Sequence, residues 1–218
     1  MNRAFEDLFG VAGAFDGIQM AGRTDRWILA EAASRAAVEL TPEVFGRFRD
    51  RYLLRLTEAL GEPAGGKCVL PGVGELLAAI AACQDILPAL LTGNGEGGAR
   101  IKLDHFGLWK FFRFGAYGDE VTDRNDLFDV AVDRARAHGY RHARPADVVV
   151  IGDTVLDVAC AQAAGARSLA VATGPSGVAE LRQSGADTVL ENLTDTEAIL
   201  ELLNPARGSP RPWPGVRI

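Results

Sequence analysis

The chain has 218 residues, 48% hydrophobic, 24% charged and 7% aromatic, with a formal net charge of −6. That length suits one domain, or a core with a smaller insert, and the glycine and proline content is that of an ordinary globular protein. The acidic balance argues against broad nucleic-acid binding, which needs Lys and Arg concentrated on one face, and no run approaches the ~18–20 apolar residues of a membrane helix.

Residues 1–64 read as a helical unit. The opening MNRAFEDLFG lacks the basic-then-apolar pattern of a secretory signal and begins directly on an amphipathic turn with Phe5, Leu8 and Phe9 on one face. Helices over Trp27–Leu40 and Pro42–Leu60 follow, with Thr41 as N-cap and Pro42 in the first turn. Gly61-Glu62-Pro63-Ala64-Gly65-Gly66 breaks the pattern and marks a domain boundary.

From 65 to 203 the rhythm becomes strand, helix, strand, helix. Strands are expected at Ile86–Leu91, Phe111–Ala116, Asp147–Ile151, Ser168–Ala172 and Ala186–Leu190. Helices are expected at Gly74–Ala82, Ala99–Phe106, Asp126–His138, Leu156–Ala164 and Asp195–Leu203. Such alternation implies an α/β fold, a Rossmann-like parallel sheet covered on both faces. Residues 204–218, rich in Pro and Arg, read as a disordered tail. Cys68, Cys83 and Cys160 form no CxxC and read as buried or free thiols of a cytoplasmic protein.

Three polar clusters follow strands, where open parallel sheets place their sites. Leu91-Thr92-Gly93-Asn94 offers a hydroxyl and a turn of backbone N–H groups, able to hold a phosphate oxygen or to serve only as a turn. Arg124, in Asp123-Arg124-Asn125-Asp126, can neutralise a bound anion; alone it reads as a surface charge. Asp153 and Asp157, after the most apolar strand, can converge on one hard cation, although Asp153 also fits a helix N-cap.

The order of these clusters resembles the haloacid dehalogenase superfamily, in particular its phosphoglycolate-phosphatase-like hydrolases. Leu91-Thr92-Gly93-Asn94 is similar to the family's second motif, and Gly152-Asp153-Thr154-Val155-Leu156-Asp157 to its fourth. Arg124 stands where the third motif usually has Lys, and Pro71-Gly72-Val73 resembles the re-entry from a helical cap into the core. The resemblance implies a Mg²⁺-dependent phosphatase of a small phosphorylated metabolite. Thr92 and Arg124 would then be catalytic, Gly93 and Asn94 would bind substrate, and Asp153 and Asp157 would hold the metal. Gly22-Arg23-Thr24-Asp25 resembles a cap segment facing the site, with Arg23 as a substrate contact or a surface charge.

The family's reaction starts from Asp-x-Asp-Gly-Thr at the end of its first strand, where the first Asp takes the phosphoryl group and the second acts as general acid and base. This chain contains no such string; Ala14-Phe15-Asp16-Gly17 lacks the second Asp and a preceding strand. A missing central strand strands buried backbone groups at about 1–3 kcal/mol each. The expectation is therefore that Met1 is not the true start, that the first core strand is absent, and that the chain as given is inactive. A catalytically dead binding protein is the alternative. A third reading, a dinucleotide-binding oxidoreductase, rests on Gly93-Asn94-Gly95-Glu96-Gly97-Gly98 with Asp119 as the ribose-binding acid, and leaves Asp153 and Asp157 unexplained.

Overall fold

Hydroxyl side chains set the starts of the two longer N-terminal helices. The computed structural model describes residues 1–63, 67–141 and 143–203. It opens with α1 (Asn2–Phe9), a series of turns, α2 (Asp25–Arg35) and α3 (Pro42–Gly61). Thr41 Oγ1 accepts from Val44 N at 3.2 Å, satisfying one of the free donors at the start of α3. Thr24 does the same for α2, accepting from Trp27 N at 3.1 Å, so this helix starts before the expected Trp27 and ends at Arg35 rather than Leu40. Phe5, Phe15, Leu29 and Phe48 form the buried centre of this layer, and Phe5 meets Phe15 edge-on at 5.7 Å. Arg55 on α3 grips Asp7 on α1 through two hydrogen bonds of 2.7 and 2.9 Å. Residues 64–66 of the expected domain break, and the whole expected disordered tail 204–218, lie outside the described residues.

The remainder alternates as the apolar rhythm implies. It runs α4 (Val73–Ala81), β1 (Leu90–Thr92), α5 (Glu96–His105), β2 (Gly115–Tyr117), α6 (Asp126–Ala137), β3 (Val149–Gly152) and α7 (Val155–Ala164). It ends with β4 (Arg167–Val171), α8 (Val178–Gln183), β5 (Thr188–Leu190) and α9 (Thr196–Leu203). The strands are shorter than the apolar runs. Pro88 cannot donate to a ladder, and pairing begins only at Leu90. Phe111 closes a 3₁₀ turn ahead of β2, and Asp147 closes another ahead of β3 by accepting from Arg144 N at 3.2 Å. Helix α8, only six residues long, has no counterpart in the expected elements.

All strand pairs are parallel, but among the described residues the sheet is in two pieces, β1–β2 and β3–β4–β5. Helix α6 spans both: Phe128 and Val132 pack with Leu91 of β1 and with Val148 and Val150 at β3. On the opposite face, Leu76 and Ile80 of α4 and Ile199 of α9 cover Leu169 and Val171 of β4. The fold is thus a Rossmann-like parallel α/β core with a helical cap, its sheet interrupted between β1 and β3. The carboxyl ends of those two strands open into one space.

Candidate active site

A cavity of about 510 Å³ lies where the cap meets the ends of β1 and β3. Thr92, Gly93, Asn94, Arg124, Asp153, Asp157 and Arg23 all line it. Lys102 and Asp25 line it too; sequence reasoning passed over Lys102 and placed Asp25 only within the cap segment facing the site, with no role of its own.

The loop after β1 is tied to itself and to the cap. Thr92 Oγ1 accepts from Asn94 N at 3.2 Å and from Asn94 Nδ2 at 3.1 Å. Lys102, on α5, donates to Asn94 Oδ1. From the cap, Asp25 N donates to Gly93 O at 2.6 Å and Arg26 N to Gly118 O at 2.9 Å. Gly93 must be glycine, since a Cβ there would lie 2.0 Å from Arg23 O. Asp25 also accepts from Gly95 N at 2.8 Å; its burial raises the carboxyl pKa, against which the Gly95 N–H and the Lys102 charge act.

The loop after β3 carries the acids. The N-cap of α7 is Thr154, not Asp153, and Thr154 and Asp157 form a reciprocal capping box. Asp157 is buried, and both its oxygens are engaged: Oδ2 accepts from Thr154 N at 3.0 Å and Thr154 Oγ1 at 2.7 Å, while Oδ1 takes Arg124. Arg124 also donates to Gly22 O of the cap at 3.2 Å, and its buried Nε has no acceptor among the described residues. Asp153 has no side-chain donor among the described residues. Burial, chiefly, and then the charge of Asp157 push its pKa up. Glycine at 174 lets the loop after β4 close on it, since a Cβ there would lie 2.0 Å from Asp153 Oδ2.

That environment fits a hard cation. Burial and the Asp157 charge disfavour the Asp153 carboxylate, its own backbone N–H and the Arg124 charge partly offset them, and a divalent ion would act in the same direction as that offset. The described residues bring no group of three or more His, Cys, Asp or Glu together for a metal, and Mg²⁺ suits such a sparse site because it keeps several waters and takes one or two carboxylates. Arg23 is exposed at the rim, its guanidinium 4.6 Å from the centre of the Trp27 ring.

The glycine-rich turn does not serve a dinucleotide. Asp25 already accepts from Gly95 N, and Asp119 accepts from Glu96 N at 3.2 Å, so two of the chain's own carboxylates occupy the helix N-terminus that a pyrophosphate would need. Gly97 and Gly98 instead admit the cap, where a Cβ would meet Leu53 at 2.7 Å and Tyr52 at 3.4 Å.

Parallel strands, a helical cap and polar loops at the strand ends define a capped parallel α/β fold. The comparisons sharpen this. Residues 125–196 match the HAD-hydrolase-like family model, a segment that includes both acids but neither Thr92 nor Arg124. The structure is similar to a predicted phosphoglycolate phosphatase from Haemophilus somnus, with 19% identity, a TM-score of 0.63 and coverage of 91% of this chain and 88% of that one. It is also similar to a hydrolase from Pseudomonas syringae, with 22% identity, a TM-score of 0.60 and coverage of 84% and 80%. A mutant of CbbY from Rhodobacter sphaeroides, in complex with xylulose-1,5-bisphosphate, is 20% identical with a TM-score of 0.64, covering 89% of this chain and 85% of that one. No curated protein matches the chain. The chain has the fold of the haloacid dehalogenase-like hydrolases, and its segment 125–196 carries their sequence pattern. No described helix is long and apolar enough to cross a membrane.

Proposed function

We propose that the cavity binds the phosphoryl group of a small phosphorylated metabolite together with Mg²⁺, in the manner of a phosphatase of this fold. The observation that carries the reading is the convergence on one cavity of a hydroxyl, an amide, an arginine and two acids from loops far apart in the chain. In this reading Thr92 and Asn94, with the backbone at Gly93, hold phosphoryl oxygens. Arg124 neutralises them through its uncommitted Nε. Asp153 is the direct metal ligand, and Asp157, with both oxygens engaged, aims Arg124. Bound Mg²⁺ would supply charge stabilisation for the transferring group. The helices of residues 1–64 act as a cap over the core 65–203, with Arg23 at the rim facing the substrate.

Hydrolysis through an aspartyl-phosphate needs a nucleophilic Asp followed two residues later by a second acid. The 218 residues contain no Asp-x-Asp pair, so this chain binds the phosphoryl group with little or no turnover. Calorimetric titration of the chain with inorganic phosphate tests the reading: binding should need Mg²⁺ and should be lost in Asp153→Ala. Mg²⁺-dependent hydrolysis of p-nitrophenyl phosphate by this chain, abolished by Asp153→Ala, would overturn the inactivity but leave the site intact.

A further inference from the structure

We infer that Lys102 is a positioning residue: through Asn94 it fixes the Thr92 hydroxyl as a hydrogen-bond donor aimed into the cavity. The inference rests on the phosphate-binding reading above and extends it to a residue outside the motifs.

The chemistry of each group allows one arrangement. An ammonium donates hydrogen bonds and accepts none. The Asn94 amide must therefore turn its oxygen, not its nitrogen, to Lys102, as the contact to Oδ1 shows. The amide nitrogen then faces Thr92, donating to Oγ1 at 3.1 Å while Asn94 N donates to the same oxygen at 3.2 Å. A threonine hydroxyl has two acceptor lone pairs and one proton. Both lone pairs are filled by Asn94, so the proton points away from that residue, and an anion in the cavity finds a donor already oriented.

Without the ammonium, nothing fixes the amide. Asn94 can rotate its oxygen toward Thr92, the hydroxyl then donates inward, and a lone pair faces the anion instead. A donor becomes a repulsive acceptor without any change at Thr92 itself. Lys102 is itself held in place. It is half-buried, burial lowers its pKa, and the nearby Asp25 carboxylate, the residue that pins the cap to the loop after β1, opposes that shift.

The test is a double-mutant cycle on the 218-residue chain, reading the affinity for inorganic phosphate with Mg²⁺ present by calorimetry, with circular dichroism confirming that each variant is folded. Loss of one hydrogen bond to a charged ligand weakens binding by about tenfold or more, and that is the loss expected for Lys102→Met and for Thr92→Val separately. The double variant should bind no more weakly than Thr92→Val alone, because Lys102 acts only through that hydroxyl. Lys102→Arg, which also only donates, should recover most of the affinity. Unchanged binding in Lys102→Met, or losses that add in the double variant, would overturn the inference, since a direct contact or a general loosening of α5 is additive with Thr92. If Lys102→Met does not fold, Lys102→Gln replaces it: its amide lets the contact run in either sense, and wild-type affinity in that variant overturns the inference. Absence of phosphate binding in the unsubstituted chain would reject the underlying reading, a result separate from wild-type binding with an indifferent Lys102.

Discussion

Arg124 and Asp157 show how two charges 33 residues apart become one unit. Asp157 is 5% exposed and Arg124 brings a guanidinium to it from the loop ahead of α6, so neither charge is left alone in a poorly solvated site. Removing one partner of such a pair costs more than the pair contributes, because the survivor stays buried without its counter-charge. Thr154 still donates twice to Asp157, which places the loss at the lower end of the usual range. Arg124→Met should therefore destabilise the protein by about 3 kcal/mol in urea unfolding. A loss below about 1 kcal/mol would mean that the Thr154 donors alone satisfy Asp157. Sequence spacing placed Asp153 and Asp157 together as metal-binding or metal-orienting acids, with Asp153, nearer the strand end, the expected direct ligand. The structure gives them different surroundings, because the capping box that starts α7 engages the Asp157 carboxylate and not that of Asp153. Lys102 was not legible at all: a lysine in mid-helix reads as a solvated charge until the fold folds it back on Asn94.

At the scale of elements, the joint between cap and core depends on the start of α2. Thr24 is 1% exposed; its hydroxyl accepts from Trp27 N and donates to Thr122 O of the core at 2.8 Å. Thr24→Val keeps the volume but removes the cap and leaves two backbone groups without partners, a cost of about 2 kcal/mol measurable as a lower urea midpoint. The cap signal Thr24-Asp25 stood in the sequence as plainly as Thr41-Pro42, yet the expected helix began at Trp27 because apolar periodicity starts there. Two strand starts were set too early because local backbone bonding takes the first residues of the run: Phe111 belongs to the 3₁₀ turn before β2 and Asp147 to the one before β3. Within the cap, the Arg55 guanidinium holds the Asp7 carboxyl below its ordinary range. A lowered pKa in the folded state stabilises above the unfolded value, near 3.9, and that contribution disappears as pH falls through the lowered one. The stability difference between wild type and Asp7→Asn should therefore be constant at neutral pH and shrink on acidification below about pH 4. A difference that grows toward low pH would rule out the Asp7–Arg55 tie as its source.

For the whole molecule, the interruption of the sheet dominates. Parallel strands are usually buried on both faces and paired on both edges, yet Ile151, in the middle of β3, is 39% exposed beside the cavity, and among the described residues β1 and β3 each have one ladder only. Helix α6 bridges the two pieces through Leu91, Phe128 and Val150, so they share a hydrophobic layer without sharing backbone hydrogen bonds. The family resemblance carried the expectation of a break in the sheet, since the first strand of that fold is a central one; composition and periodicity alone could not show which strands neighbour each other. Stability within a domain is uneven, and backbone groups with no ladder open at the lowest cost. Amide exchange should therefore grade across the sheet. Buried β4, paired with β3 and β5, should keep its amide protons longest and exchange only on global unfolding. The amides of β1 and β3 that point into the interruption should exchange far sooner, while those facing β2 and β4 stay protected, giving an alternation along each strand. Uniform protection along β3, especially if it rises with protein concentration, would mean that a second chain covers the open edge in solution.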